Sequence, residues 1–288
     1  MKASQILAIP AALFLSLHSL PAAVLISNFE PADGYVANAT VIGVDGWQSN
    51  SMPGDILTAT PGGYTFVIAG TQSAYRSAVG NGSSIKLFSS ASATANDMYE
   101  LSWLQASPDS LASTVEHGLW LSDNVTSTPN VPGPVAIYGY NATGSPTTTA
   151  STIRVRGWNT VIDTAVPYLS GGGGAPNLAQ IYRFTMQFDW TNFEMSAFYE
   201  DVTVDPGNRI FLTTVPFDPS VLPSAAVTAS DFGVYLQSTG GYFGVDDIVL
   251  TAVPEPGVAA LMSLGLAGLL VVRLRRAGLR SRVAASAR

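Results

Sequence analysis

Few side chains in this sequence could carry covalent or acid–base chemistry. There is no cysteine, which excludes thiol catalysis, thiolate zinc sites and iron–sulfur ligation. Between residues 24 and 253 the single histidine is His117, one candidate base for a Ser-His-Asp arrangement and too few imidazoles for a multi-histidine metal site. Oxygen chemistry remains. Asn28 and Glu30 stand near the start of this body, and Asp246 and Asp247 near its end. Carboxylates so placed can act as acid and base, or join amide and carbonyl oxygens around a hard cation, calcium taking six to eight. Glu194 and Glu200 share one face of an alternating run but lie roughly 20 Å apart along a strand. Glycoside hydrolysis needs about 5 to 9.5 Å between its two carboxylates, so this pair cannot perform it. Asp97 and Glu100 have no supporting pattern.

Charge separates the body from its ends. Between residues 24 and 253 there are six Lys and Arg against nineteen Asp and Glu, a net charge of −13. Nucleic acid is excluded as a partner, because binding phosphates needs clustered cations. The remaining cations fall mostly after Val272, at Arg273, Arg275, Arg276, Arg280 and Arg282. At the other end, Lys2 precedes an apolar stretch over 6–20 and the small residues Ala22 and Ala23. That pattern reads as a secretory signal over 1–23, too short to span a bilayer. The protein is therefore expected to be exported.

The body, 24–252, carries strand signals throughout. Short runs rich in β-branched and aromatic residues occur at 24–29, 64–68, 84–88, 99–104, 118–121, 135–140, 152–158, 181–189, 194–199, 209–214, 232–237 and 243–250. Clusters of Gly, Pro, Asn and Asp separate them. The clearest hairpin lies over 181–204, where Phe184, Met186 and Phe188 alternate with Arg183, Thr185 and Gln187 before Thr191-Asn192 turns the chain. These features predict an all-β, antiparallel jelly-roll β-sandwich as a single domain. The run Gly171–Gly174 lacks the Lys-Ser/Thr ending of a phosphate loop and reads as a surface loop.

The tail, 253–288, has three parts: Pro254-Glu255-Pro256, an apolar stretch over 257–272, and the arginine cluster. Sixteen apolar residues as a helix span about 24 Å against a hydrocarbon core of about 30 Å, a gap that snorkelling and local thinning close. Arg273, Arg275 and Arg276 mark the cytoplasmic side of the inner membrane and place the body beyond it. This order of parts resembles the PEP-CTERM sorting domain. The resemblance implies recognition of Pro254, Glu255 and Pro256 by exosortase, a membrane enzyme, transient anchoring, and release to the cell surface or extracellular matrix of a Gram-negative-type bacterium.

The body's ends, Asn28-Phe29-Glu30 and Asp246-Asp247-Ile248, resemble opening and closing strands of concanavalin A-like and carbohydrate-binding-module sandwiches. In such domains these strands are neighbours. The resemblance would bring Asn28, Glu30, Asp246 and Asp247 together as ligands for a structural calcium; the alternative is that Asp246 and Asp247 stay solvated on opposite faces of an edge. Sugar binding requires exposed aromatic rings with polar neighbours. Trp47, Tyr168 and Tyr242, beside loop signals, are the expected platforms, whereas Trp103, Trp120 and Trp190 are expected in the core.

The expected function is that of a non-enzymatic surface or matrix protein that binds extracellular polysaccharide. A glycan-active hydrolase and a purely structural matrix component are the alternatives. Replacing Pro254-Glu255-Pro256 by alanines is expected to abolish processing in the native host, seen as a larger product retained in the membrane fraction. Unchanged size and location would refute the sorting assignment.

Overall fold

The computed structural model describes residues 23–36, 39, 41, 43–49, 56–59, 68–76, 82–88, 98–107, 116–122, 135–141, 151–169, 180–189, 191–217, 232–238, 243–252, 265, 269 and 273. The chain divides into two units, Met1–Ala252 and Val253–Arg288.

Among the described residues fifteen strands, numbered in chain order, form two antiparallel sheets in the first unit. The first sheet runs β13 (Ile210–Pro216), β12 (Glu194–Asp201), β11 (Tyr182–Asp189), β6 (Met98–Ala106), β15 (Phe243–Ala252), β4 (Ser73–Arg76) and β3 (Ile56–Ala59), with β1 (Ala23–Ser27) also on β15. The second runs β10 (Thr160–Pro167), β9 (Ser151–Gly157), β8 (Val135–Asn141), β7 (Glu116–Ser122), β14 (Phe232–Ser238), β5 (Gly82–Phe88) and β2 (Trp47–Ser49). The chain passes repeatedly from one sheet to the other, as from β6 to β7 and from β10 to β11. The all-β sandwich expected from the sequence is the architecture observed.

Period-two patterning decides which face of each strand meets the other sheet. From the first sheet Leu101, Trp103, Phe184, Met186 and Phe188 point inward; from the second, Leu119, Ile137, Ile153 and Val155 do so, all fully buried. Burying each such side chain contributes about 1.5–3 kcal/mol, so this interface is the main source of stability. On β9 the alternation is complete: Ile153 and Val155 are buried, while Thr152, Arg154 and Arg156 are half-buried on the side away from the core.

The β11–β12 hairpin forms as its pattern predicts, with Phe184 opposite Tyr199 and Met186 opposite Ala197. Its turn is fixed by the Asp189 carboxylate, whose Oδ1 accepts from the Thr191 and Asn192 amides at 2.9 and 3.1 Å. The expected adjacency of first and last strands also holds, with Val24 opposite Leu250 and Ser27 opposite Ile248. A strand not anticipated from the sequence is β10, which pairs back onto β9 through the turn Trp158-Asn159.

In the second unit Gly265, Leu269 and Arg273 are helical and exposed. Residues 1–22, Tyr242, Pro254, Glu255, Pro256, Arg275, Arg276 and the rest of 257–272 lie outside the described residues. Among the described residues no helix is long and apolar enough to cross a membrane.

At the end of β9 the two sheets approach closely. A methyl group at Gly157 would strike the Pro216 carbonyl and come within 2.7 Å of the Val215 side chain. Gly157→Ala is expected to lower stability by about 1–3 kcal/mol through overpacking. Chemical denaturation of the two proteins measures it, and an unchanged midpoint would contradict this packing.

Candidate functional site

Two of the acids singled out by the sequence, Glu30 and Asp246, grip the same turn over 69–73. One edge of β15 is shared: β4 pairs with Phe243–Val245 and β1 with residues 248–251. At the junction the strand bulges, with Asp247 at a φ of 46° and a register slip against β6 between Asp246 and Val249. Asp246 sits at this break, 1% exposed. Its Oδ2 accepts from the Ser73 hydroxyl at 2.6 Å and the Ala69 amide at 3.2 Å, and its Oδ1 accepts from the Asp247 amide at 2.9 Å. Desolvation pushes the Asp246 carboxyl up to about 7, and the neighbouring Asp247 charge adds to it, while those hydrogen bonds oppose it.

Glu30 grips the same turn from β1's end. Its Oε1 accepts from the Thr71 amide at 2.7 Å and the Gln72 amide at 3.4 Å, and its Oε2 accepts from the Thr71 hydroxyl. Slight desolvation raises its pKa, but the bonds from Thr71 and Gln72 outweigh this and hold it below the usual carboxylate value. Gly70, between the two grips, has a φ of +59°, and a methyl group there would strike the Glu30 carboxylate. Asn28 Oδ1 in turn accepts from the Glu30 amide at 3.3 Å, across Phe29 at a φ of 57°.

These oxygens do not fit a calcium cage as arranged. A carboxylate offers about four lone-pair sites. Glu30 and Asp246 each turn three toward N–H or O–H donors, which leaves far fewer than calcium's six to eight ligands. Among the described residues no group of three or more His, Asp and Glu gathers that could hold an ion. Asp247 is half-buried beside the bulge.

Two expected sugar platforms are corrected by their burial. Trp47 is 1% exposed, with its ring 5.6 Å from Phe29 and its Nε1 donating to Ser27 Oγ at 3.4 Å. Tyr168 is 0% exposed, stacked on Tyr182 at 5.1 Å, with its hydroxyl joined to Gln105 at 3.1 Å and Ser107 at 2.7 Å. Their polar tips find buried partners, so adjacency to loop signals did not translate into exposure. Trp103 lies in the core as expected.

Trp120 is buried on the opposite side of its sheet from Leu119 and Leu121. There it stacks on Tyr138 at 5.4 Å, and Tyr138 meets Tyr140 edge-on at 6.4 Å. Trp120 and Tyr138 are each 1% exposed and form the floor of this face. Over it lie two cations from β9: the Arg154 guanidinium is 3.5 Å above the Tyr140 ring, and that of Arg156 is 5.0 Å above Trp120. Arg154 also meets Asp163 of β10 at 3.4 Å. Tyr140, Arg154 and Arg156 are half-buried, and Val161 and Asp163 are exposed. This row of rings and guanidinium groups offers flat apolar surface beside strong hydrogen-bond donors. The signal that could have found it is Arg154-Val155-Arg156, which puts two cations on one face of a strand whose other face is apolar.

No protein-family model matches the chain, and no curated protein matches it. Solved structures with a similar trace include lectin II from Ulex europaeus, at 8% identity, covering 81% of this chain and 99% of that one with a TM-score of 0.45. Basic winged bean lectin with Tn-antigen has 11% identity and a TM-score of 0.42, covering 80% and 97%. A carbohydrate esterase from the Shiga toxin-encoding bacteriophage phi24B has 11% identity and a TM-score of 0.43, covering 81% and 100%. TM-scores this low carry no argument about ligand or activity. The class to which the chain belongs, an antiparallel all-β sandwich, stands on its own strand pairing.

Between its ordinary value of 3.8 and about 7, Asp246 keeps a proton in the folded chain that the unfolded chain has released. Stability from this group therefore falls as pH rises through that window and levels off above it. Glu30 and Asp189, held low, act in the opposite sense. The expected outcome is that Asp246→Asn makes the change in Tm from pH 5 to pH 8 less negative than in the parent. Equal pH slopes would contradict the burial of this group. Millimolar calcium at pH 7.5 is expected to leave the parent's Tm unchanged, and a rise of several degrees would show that the corner can reorganise around the ion.

Proposed function

We propose that the chain is a non-enzymatic, carbohydrate-binding sandwich, exported and delivered to the cell surface or extracellular matrix through exosortase-type processing of its tail. The observation that carries the binding reading is the row Tyr140, Arg154 and Arg156 on the outer side of the second sheet. Sugar rings stack on aromatic faces while their hydroxyls need fixed donors, and this row supplies both within one surface. The delivery reading rests on Pro254-Glu255-Pro256, the apolar stretch and the arginines that follow.

The acids support a non-catalytic role. Glu200 faces Arg183 at 3.7 Å and accepts from the Gly207 amide at 2.6 Å, while Glu194 lies at the far end of the same strand. Glu30 and Asp246 are committed to the turn over 68–73. Hydrolysis needs an acid and a second carboxylate opposed across a substrate, and none of these pairs offers that.

Incubating the 288-residue chain with a polysaccharide array tests the reading. Retention without release of reducing sugar is expected, and Tyr140→Ala should weaken it by about threefold to tenfold. Turnover would favour a hydrolase, and silence on every polysaccharide would favour a purely structural matrix component.

A further inference from the structure

Among the described side chains on the outer side of the second sheet, two arginines, Arg154 and Arg156, stand against one carboxylate, Asp163. Of the four body arginines with described side chains, three meet a carboxylate: Arg154 with Asp163 at 3.4 Å, Arg183 with Glu200 at 3.7 Å and Arg209 with Glu100 at 2.9 Å. Arg156 has no ion pair among the described residues, although the body holds nineteen acids against six cations. In so acidic a chain a cation left unpaired is a departure from the surrounding pattern. It is also only half-buried, so an incoming anion can reach it.

A second observation points to the same place. The Trp120 Nε1 group, beneath Arg156, is buried and has no hydrogen-bond partner among the described residues. Buried donors are nearly always satisfied, and exceptions call for a cause such as a missing ligand. Arg154 and Arg156 lie two residues apart on one strand face, a spacing of about 7 Å along β9. Arg154 is held by Asp163 only at 3.4 Å, a long contact for a guanidinium–carboxylate pair.

We infer that this face takes an acidic polysaccharide, with carboxylates of its uronate units on Arg156 and Arg154 and a sugar ring on Tyr140. The inference rests on the carbohydrate reading above and specifies its substrate class. The planar guanidinium fork matches a planar carboxylate in two parallel hydrogen bonds, which is the reason for a uronate chain over a neutral one. The rest of the body is strongly acidic and repels such a chain, so binding is confined to this face and its orientation is set by the two arginines. Asp163 competes with the ligand for Arg154 and tunes the affinity downward.

The test titrates the 288-residue chain, in a neutral detergent, with polygalacturonate, neutral xylan, a sulfated glycosaminoglycan and vesicles of anionic phospholipid, at low and moderate salt. Polygalacturonate is expected to bind at least about tenfold more tightly than xylan, with affinity falling as salt rises. Arg154→Gln with Arg156→Gln should weaken polygalacturonate by about tenfold or more while the chain stays folded by circular dichroism, the lysine pair should restore part of it, and Asp163→Asn should strengthen it several-fold. Xylan bound as tightly as polygalacturonate would leave the carbohydrate reading standing and overturn this one. An unaffected double glutamine variant, or preference for the sulfated chain or the vesicles, would also overturn it. Binding to none of the four by the parent would overturn this reading, and silence on every polysaccharide of the array would overturn the carbohydrate reading as well.

Discussion

The break in β15 is the constraint around which the rest of the first sheet is arranged. One edge of a single strand serves two partners, β4 and β1, and the backbone must bulge between them. A bulge leaves amides without ladder partners, and buried amides must find acceptors. Asp246 is the acceptor. It satisfies the Asp247 amide at the bulge and reaches the Ala69 amide and the Ser73 hydroxyl, so the turn ahead of β4 is fixed by the strand that β4 joins. Glu30 completes the grip from the end of β1. Burying a carboxylate is unfavourable, and its raised pKa registers that cost; three hydrogen bonds offset enough of it for the corner to persist.

Docking β1 has consequences for the residues that follow it. Phe29 takes a left-handed backbone conformation and is wholly buried against Tyr35 at 5.3 Å and Trp47 at 5.6 Å. Ser27, Tyr35 and Asp45 form a chain of hydrogen bonds at 2.8 and 3.2 Å. Burial lifts the Tyr35 hydroxyl well above the ordinary tyrosine value. The first corner is thus a structural joint. The row of rings and guanidinium groups is elsewhere, on the second sheet, where β9 turns arginines outward because its isoleucine and valine are needed inward.

Much of this was legible in sequence where the information is local. Period two in Phe184, Met186 and Phe188 gave one strand of a hairpin and its buried face, and Thr191-Asn192 gave its turn. The adjacency of the body's ends was implied only by their resemblance to the opening and closing strands of other sandwiches. What was lost depends on distance along the chain. Thr71 and Ser73 supply the donors that convert the acids from cation ligands into clamps, and nothing near Glu30 or Asp246 signals this. Trp47 and Tyr168 sit beside turn residues, yet Ser27, Gln105 and Ser107 wait for them in the interior. The β10 strand was hidden because Trp158-Asn159 lacks a glycine; Asn159 instead adopts a φ of 50° and turns the chain in two residues.

The most direct measurement of the clamp is residue-resolved amide hydrogen exchange at Ala69, Thr71, Gln72 and Asp247. Protection approaching that of the neighbouring strand amides is expected in the parent chain, with Glu30→Ala releasing Thr71 and Gln72 while Ala69 and Asp247 stay protected. Exchange of all four at the rate of an open loop in the parent would contradict the clamp and the joint built on it.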